Sequence, residues 1–345
     1  MRRLYFDLIR ARLRRGDFAF PFRAARTLWG VRRGEAKPLL GTLVVTYRCD
    51  LACDFCDLPR RGQRQSELGT EEMKGVLEGF RDLGVLGVGI TGGEPLLRKD
   101  TLEIAKHGAD LGMLMHLNTN GTFVTTEVAH AVADAGICSV NLSLDGPDAA
   151  THDRLRGRDG SFTRVLRAAA RLCAVPGRRF RVALTCALGE SNADQFDALL
   201  DRARDLGVDR VGFIPIHDFP ANRVAPASSP VSAAAQRLLD RSSRDPLLDN
   251  SRAYLRLFDS AFRGEERPIA CSAPRTSVVV DCYGAVFPCV PLNSVNQEVA
   301  RGDVREVWRS ETYTRARESL RGCRACFWNC HTEMDLALQK LGGSS

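Results

Sequence analysis

The sequence predicts an α/β chain built on a parallel sheet with helices outside it, followed by a small cysteine-rich module. Three observations carry this. Short apolar runs alternate with amphipathic stretches six times between residues 42 and 216, the pattern of strand–helix units whose strands run parallel. Of the 345 residues, 44% are hydrophobic and 26% charged, ordinary for a globular chain with a large core. Six of the twelve cysteines fall between residues 271 and 331, beyond the last alternation. The alternation alone leaves both an open doubly wound sheet and a barrel available.

Taken in order, residues 1–33 hold ten Arg and two Asp, a net of +8, while the rest of the chain nets −1. Arg2, Arg3, Arg10, Arg12, Arg14 and Arg15 interleave with Leu4, Tyr5, Phe6, Leu8, Ile9 and Leu13. Residues 1–40 therefore read as a basic amphipathic segment. It packs on its own domain, lies peripherally on an anionic membrane or meets an acidic partner. The basic excess stops there, so nucleic acid is not an expected partner. Leu43–Thr46 is a strand ending in a cysteine loop. Strands follow at Val85–Thr91, Leu114–Thr119, Cys138–Leu144, Phe180–Leu188 and Arg210–Ile216. Helices lie at Glu71–Leu83 with Thr70 as cap, Thr101–Leu111, Thr126–Ala135, Phe162–Cys173 and Asp194–Leu206. Residues 41–217 form this unit. Pro220, Pro226 and Pro230 break the rhythm, so 218–268 reads as a bridge with helices at Ala233–Arg241 and near Tyr254–Phe262, leading to a module over 269–345. No apolar run is long enough to span a membrane and no signal-peptide core is seen. A cytoplasmic protein is expected, with membrane-peripheral contact through residues 1–33 as an option. Cysteines in such a chain serve metal or redox chemistry rather than a disulfide framework.

The run Cys49-Asp50-Leu51-Ala52-Cys53-Asp54-Phe55-Cys56 has C-x3-C-x2-C spacing. Three thiolates on one loop suit three irons of a cubane cluster and leave the fourth iron open to a small molecule. Structural zinc is the other use of such thiols, but it needs a fourth ligand, and the closest His is His107. The spacing, with Phe55 before the third cysteine, resembles the radical S-adenosylmethionine (radical SAM) superfamily. The resemblance implies a partial (β/α)6 TIM-type barrel and a [4Fe–4S] SAM cluster on Cys49, Cys53 and Cys56. It also implies reductive cleavage of SAM to methionine and a 5′-deoxyadenosyl radical that abstracts hydrogen from substrate. The electron donor would be a flavodoxin or ferredoxin. By the same resemblance, Gly92, Gly93 and Glu94 bind the methionine amino group, and Ser143 and Asp145 meet the ribose and carboxylate. Asn120 joins the site, Arg156 rather than Arg154 meets the SAM carboxylate, and Phe55 flanks the adenine. Read as residues alone, these are equally a glycine turn, a turn cap at Asp145, a left-handed turn at Asn120, a surface arginine and a packed aromatic.

Cys271, Gly284 and Cys289 form C-x12-G-x4-C, followed by Cys323, Cys326 and Cys330. This resembles the auxiliary-cluster modules called SPASM or, when shortened, twitch. A full pattern has seven cysteines, and this chain departs from it. The expectation is one auxiliary [4Fe–4S] cluster on Cys271, Cys289, Cys323 and Cys326, with Cys330 as alternative ligand; zinc would use the same thiols. Cys282 is left over, as a core residue or a catalytic hydrogen donor. Cys138, Cys173 and Cys186 read as core. The segment ahead of residue 41 is shorter than a typical peptide-recognition domain. The expected enzyme is therefore an oxidoreductase that dehydrogenates or epimerises a small-molecule or sugar-type substrate. Radical modification of a ribosomally made peptide or protein is one alternative, and a non-catalytic zinc-binding module another.

Overall fold

A computed structural model describes residues 16–57, 66–218, 223–224, 229–294 and 299–340, and the structural statements below refer to these. The strands β1 (Leu40–Thr46), β2 (Gly87–Gly92), β3 (Leu114–Thr119), β4 (Ser139–Ser143), β5 (Arg181–Leu188) and β6 (Arg210–Pro215) pair in sequence order. Each runs parallel to the next. Connecting helices cover one face, against which Val88, Ile90, Met115, Leu117, Val140 and Leu142 are fully enclosed. The other face is small or polar and only half-buried: Gly89, His116, Asn118, Asn141, Ser143 and Thr185. Asn141 donates to Asn118 Oδ1 at 2.9 Å and His116 meets Ser139 at 2.7 Å, which ties these polar groups together.

The barrel stays open because β6 does not close on β1. The outer edge of β6 is covered instead by residues 247–250. Asn250 accepts from the Phe213 N–H at 2.7 Å and donates to its carbonyl at 3.0 Å, taking the place of a neighbouring strand. A two-stranded ribbon, β7 (His217–Asp218) with β8 (Arg223–Val224), follows β6.

The other edge of β1 belongs to the C-terminal region. Strand β9 (Ser277–Val280) pairs parallel to β1, β10 (Ala285–Phe287) antiparallel to β9, and β11 (Ala300–Arg301) antiparallel to β10. The cysteine-rich region is thus part of the same nine-stranded sheet. Asp281 builds the β9–β10 turn: one oxygen accepts from Tyr283 N and Ala285 N, the other from the Tyr47 hydroxyl at 2.8 Å. Gly284 takes the left-handed conformation that the turn requires (φ +79°).

Local expectations needed two corrections. Thr70 does not cap its helix; Gly69 does, with its N–H held by Glu72 Oε2 at 2.7 Å, while the Thr70 hydroxyl donates to Asp100 at 2.6 Å. A charged acceptor has drawn the hydroxyl away. The helix near Tyr254–Phe262 divides into Arg252–Leu255 and Phe258–Phe262. Of the basic N-terminal segment, residues 1–15 lie outside the described residues, and Phe20–Arg32 is a helix. No helix among the described residues is long and apolar enough to cross a membrane.

Candidate active site

The C-terminal ends of β1 to β5 converge on the loop that holds Cys49, Cys53 and Cys56. The loop lies on the end of the helix Ala149–Arg156: Ala52 N donates to Arg156 O and Asp54 N to Leu155 O, both at 3.2 Å. Gly157 ends that helix at φ +63°, and a Cβ there would stand 2.3 Å from Ala52 O, so only glycine permits the contact. Asp50 is clamped from two sides. Asn120 Nδ2 donates to one carboxylate oxygen and Arg158 Nη1 to the other, each at 2.8 Å, and Arg158 also reaches the Asp50 carbonyl.

Arg156 projects into the centre. Its Nε lies 2.6 Å from Asp145 Oδ2, its Nη1 donates to Cys53 Sγ at 3.8 Å, and its guanidinium stands 5.4 Å from the centre of the Phe55 ring. Asp145 is fully enclosed and accepts from Ala187 N at 2.9 Å with its other oxygen. Asn192 bridges the Asp145 and Ala187 carbonyls, and Asp145 N donates to His152 Nδ1. Arg154 points away to Ser191 O on the surface. Ser143 ends β4 on the polar, half-buried face.

Glu94 draws the second and third strands to the same point. One oxygen accepts from Leu96 N and Thr119 Oγ1, the other from Asn120 N at 2.7 Å. Complete burial outweighs these bonds and pushes its carboxyl up to about 7. Gly92 and Gly93 have a packing reason. A Cβ on Gly92 would lie 2.2 Å from Thr46 O at the end of β1, and one on Gly93 2.2 Å from Arg48 O at the start of the cysteine loop.

The donor chemistry fits an iron–sulfur cluster. Burial pushes the Cys49 thiol up to about 12 and raises Cys53, while Arg156 opposes the rise at Cys53. The Asn120 amide lies 4.0 Å from Cys49 Sγ. Two of three sulfurs thus face N–H groups that favour a thiolate ligand. Among the described residues no three Cys, His, Asp or Glu side chains stand at metal-ligand distances, so the fit is one of chemistry and placement.

A second group of thiols lies in the C-terminal region. Cys289 lies near Cys271, Cys323 and Cys326, and Cys271 near Cys326. Cys271 N donates to Cys323 O at 2.8 Å, joining two of these segments. Cys330 neighbours Cys326 but is exposed. Beside Cys271 and Cys326 sits the fully buried Arg267, paired with Asp335 at 2.9 Å and hydrogen-bonded to Thr332. Cys282 stands apart: its sulfur accepts from Tyr47 N at the foot of the first cysteine loop. Cys186 is buried, whereas Cys138 and Cys173 are half-buried.

A model described as the radical SAM superfamily matches residues 43–203, and one described as an iron–sulfur cluster-binding domain, SPASM, matches residues 271–331. The chain carries a radical SAM domain followed by a C-terminal SPASM domain. A radical SAM domain implies SAM and a [4Fe–4S] cluster as cofactors, and a SPASM domain implies auxiliary iron–sulfur. The chain is 33% identical to the PqqA peptide cyclase of Bradyrhizobium diazoefficiens over 177 residues, 50% of this chain and 45% of that protein. It therefore spans less than half the length of that relative. It is 27% identical to the AdoMet-dependent heme synthase of Methanosarcina barkeri over 84% of this chain and 88% of the other. The fold is shared with Streptococcus suis SuiB, at TM-score 0.66 and 20% identity over 82% of this chain and 67% of that one.

Asp50, Gly157, Arg158, Asn192 and Arg267 were not singled out by sequence. Asp50 lies inside the cysteine motif and Arg158 two residues beyond Arg156, so adjacency was the available signal. Arg267 had none.

Two outcomes test this site. Arg156→Met should cost about 3–5 kcal/mol in urea unfolding of the apoprotein, because it strands the buried Asp145 charge. Adding Asp145→Leu should recover much of that loss. Glu94 ionises near pH 7 when folded, against 4.5 for a free side chain. Its contribution is complete below about pH 4.5 and is lost as pH rises through 7, a change of roughly 3 kcal/mol. His116 on the half-buried face and the buried His152, His217 and His331, each pushed down to about 4, give the opposite slope. The difference between the parent and Glu94→Gln, followed from pH 4 to 8, isolates the carboxyl.

Proposed function

We propose that this enzyme generates a 5′-deoxyadenosyl radical from SAM and uses it to modify a peptide or protein. The open barrel carries this reading. Its half-buried face presents Asn118, Asn141, Ser143 and Thr185 as fixed hydrogen-bonding groups below the cysteine loop, a surface suited to a polar, extended chain. The peptide cyclase relative supports the same substrate class over the sugar-type substrate that the short N-terminal segment led us to expect.

In this reading Cys49, Cys53 and Cys56 hold the [4Fe–4S] cluster, which when bound supplies the electron that splits SAM. Asn120 and Arg158 hold Asp50 and so fix the loop. Arg156 keeps Cys53 in place and shields it beneath Phe55. Glu94, ionised above pH 7, offers a negative charge to the methionine ammonium, with Gly92 and Gly93 keeping the loop close enough to share it. Ser143 borders the ribose, while the enclosed Asp145, its oxygens taken by Arg156 and Ala187 N, holds Arg156 in position. Cys271, Cys289, Cys323 and Cys326 hold one auxiliary [4Fe–4S] cluster, with Cys330 in reserve. Four cysteine ligands leave no open iron, which suits electron acceptance and an oxidative outcome. Cys282, held by Tyr47 N, would act as hydrogen donor only in a redox-neutral reaction, and its replacement by Ala would leave an oxidative product unchanged. A reduced flavodoxin or ferredoxin supplies the electrons.

A second reading, a reaction on a heme precursor, draws on the heme synthase match over most of both chains.

The test uses anaerobically reconstituted enzyme, SAM and dithionite, with peptides encoded beside its gene. We expect 5′-deoxyadenosine formation together with a peptide lighter by two hydrogens. Unaltered peptides with turnover of a heme precursor would favour the second reading. The same preparation should contain about eight irons, and its Cys49→Ala/Cys53→Ala/Cys56→Ala variant about four. Colourless, zinc-loaded protein would refute both.

A further inference from the structure

The helix Phe20–Arg32 has two apolar faces, and the fold uses one. Phe20, Ala24, Thr27 and Val31 recur at the helical period and are buried against the barrel and the C-terminal helix Asn329–Lys340. On the opposite side Phe22 is 78% exposed and Trp29 63%, with Phe18 at 71% just before the helix. At 3.6 residues per turn, Phe22, Arg26, Trp29 and the following Arg33 form one stripe. Arg26, Arg32 and Arg33 are exposed as well. The helix contains no acidic residue, and it lies in the segment that carries all of the protein's positive excess.

Its place in the fold is equally specific. Arg23 donates to Gly112 O, just ahead of β3, and Thr27 to Gly84 O, ahead of β2. Phe20 and Ala24 pack on Leu114 at the start of β3. The helix therefore covers the end of the barrel where the strands begin. The cysteine loop, Glu94, Asn120 and Asp145 lie where the strands end, roughly 20 Å away at about 3.3 Å per residue.

We infer that this helix seats the protein on an anionic phospholipid surface, with the active site facing the aqueous phase. A convex stripe of Phe and Trp level with Arg side chains matches the boundary between acyl chains and anionic headgroups. A second copy of this chain is a poor occupant, since two such arginine-rich faces repel each other. Seated this way, the enzyme draws its substrate from solution and not from within the bilayer. The inference does not depend on the substrate assigned above, and its test requires no turnover.

The test is flotation of the full chain with vesicles of phosphatidylcholine, with and without roughly one-third phosphatidylglycerol, at physiological salt. Binding should require phosphatidylglycerol and fall at least tenfold in Phe22→Ser/Trp29→Ser, at unchanged circular dichroism. Arg26→Glu/Arg32→Glu/Arg33→Glu, whose changes lie wholly on the surface, should lose binding to a similar degree. Brominated lipid should quench tryptophan emission in the parent but not in Trp29→Phe. Equal binding to pure phosphatidylcholine, no binding by the parent, or undiminished binding by both multiple variants would overturn the inference. So would a parent dimer that Phe22→Ser/Trp29→Ser converts to monomer, since the occupant would then be a second copy.

Discussion

The buried pairing of Arg156 with Asp145 is the constraint on which the site depends. Neither charge is tolerable alone in an enclosed position. Each fixes the other, and each is tied to a different part of the frame. Asp145 is bonded to the backbone of β5 and its following loop. Arg156 is the last turn of a short helix whose carbonyls dock the cysteine loop. Once the ion pair forms, the fourth and fifth strand ends and the thiol of Cys53 share one rigid surround. Asp50, Arg158 and Asn120 extend the same logic outward, with more solvent and lower stakes.

Much of this was legible in the sequence. Strand–helix alternation is written in residues that must face a core, so β1 to β6 could be read from local pattern. The cysteine spacings could be read because ligand geometry limits what lies between donors. The Gly92-Gly93 pair was visible as a motif, but its physical reason, that a Cβ on either would lie 2.2 Å from the Thr46 or Arg48 carbonyl oxygen, is long-range. Long-range pairing also explains what was missed. Nothing local in Arg267 announces a partner 68 residues away at Asp335. Nothing in Val278-Val279-Val280 states that it lies beside β1 and not in a separate sheet. Thr70 failed as a cap because a distant Asp100 competed for its hydroxyl.

The two thiol groups are joined by more than sequence. Tyr47, just before the first loop, bonds Asp281 at the β9–β10 turn. At the far side of the barrel, His217 donates through Nδ1 to Pro215 O and accepts at Nε2 from Phe327 N, beside Cys326. That pair of bonds requires the neutral ring, consistent with a pKa lowered by burial. Tyr254 bonds the Phe327 carbonyl as well. Both ends of the barrel sheet are thus fastened to the SPASM domain.

Pairing β1 with β9 has a consequence for biosynthesis. Leu40 lies against Ser277, so the first strand to leave the ribosome cannot complete its hydrogen bonds until 237 further residues have followed. At 5–20 residues per second, that interval is roughly 10–50 s. Throughout it a Val-rich edge stands open to other nascent chains. Completion of the sheet is therefore a late event, and the free edge of β1 is covered only once the C-terminal domain has been made.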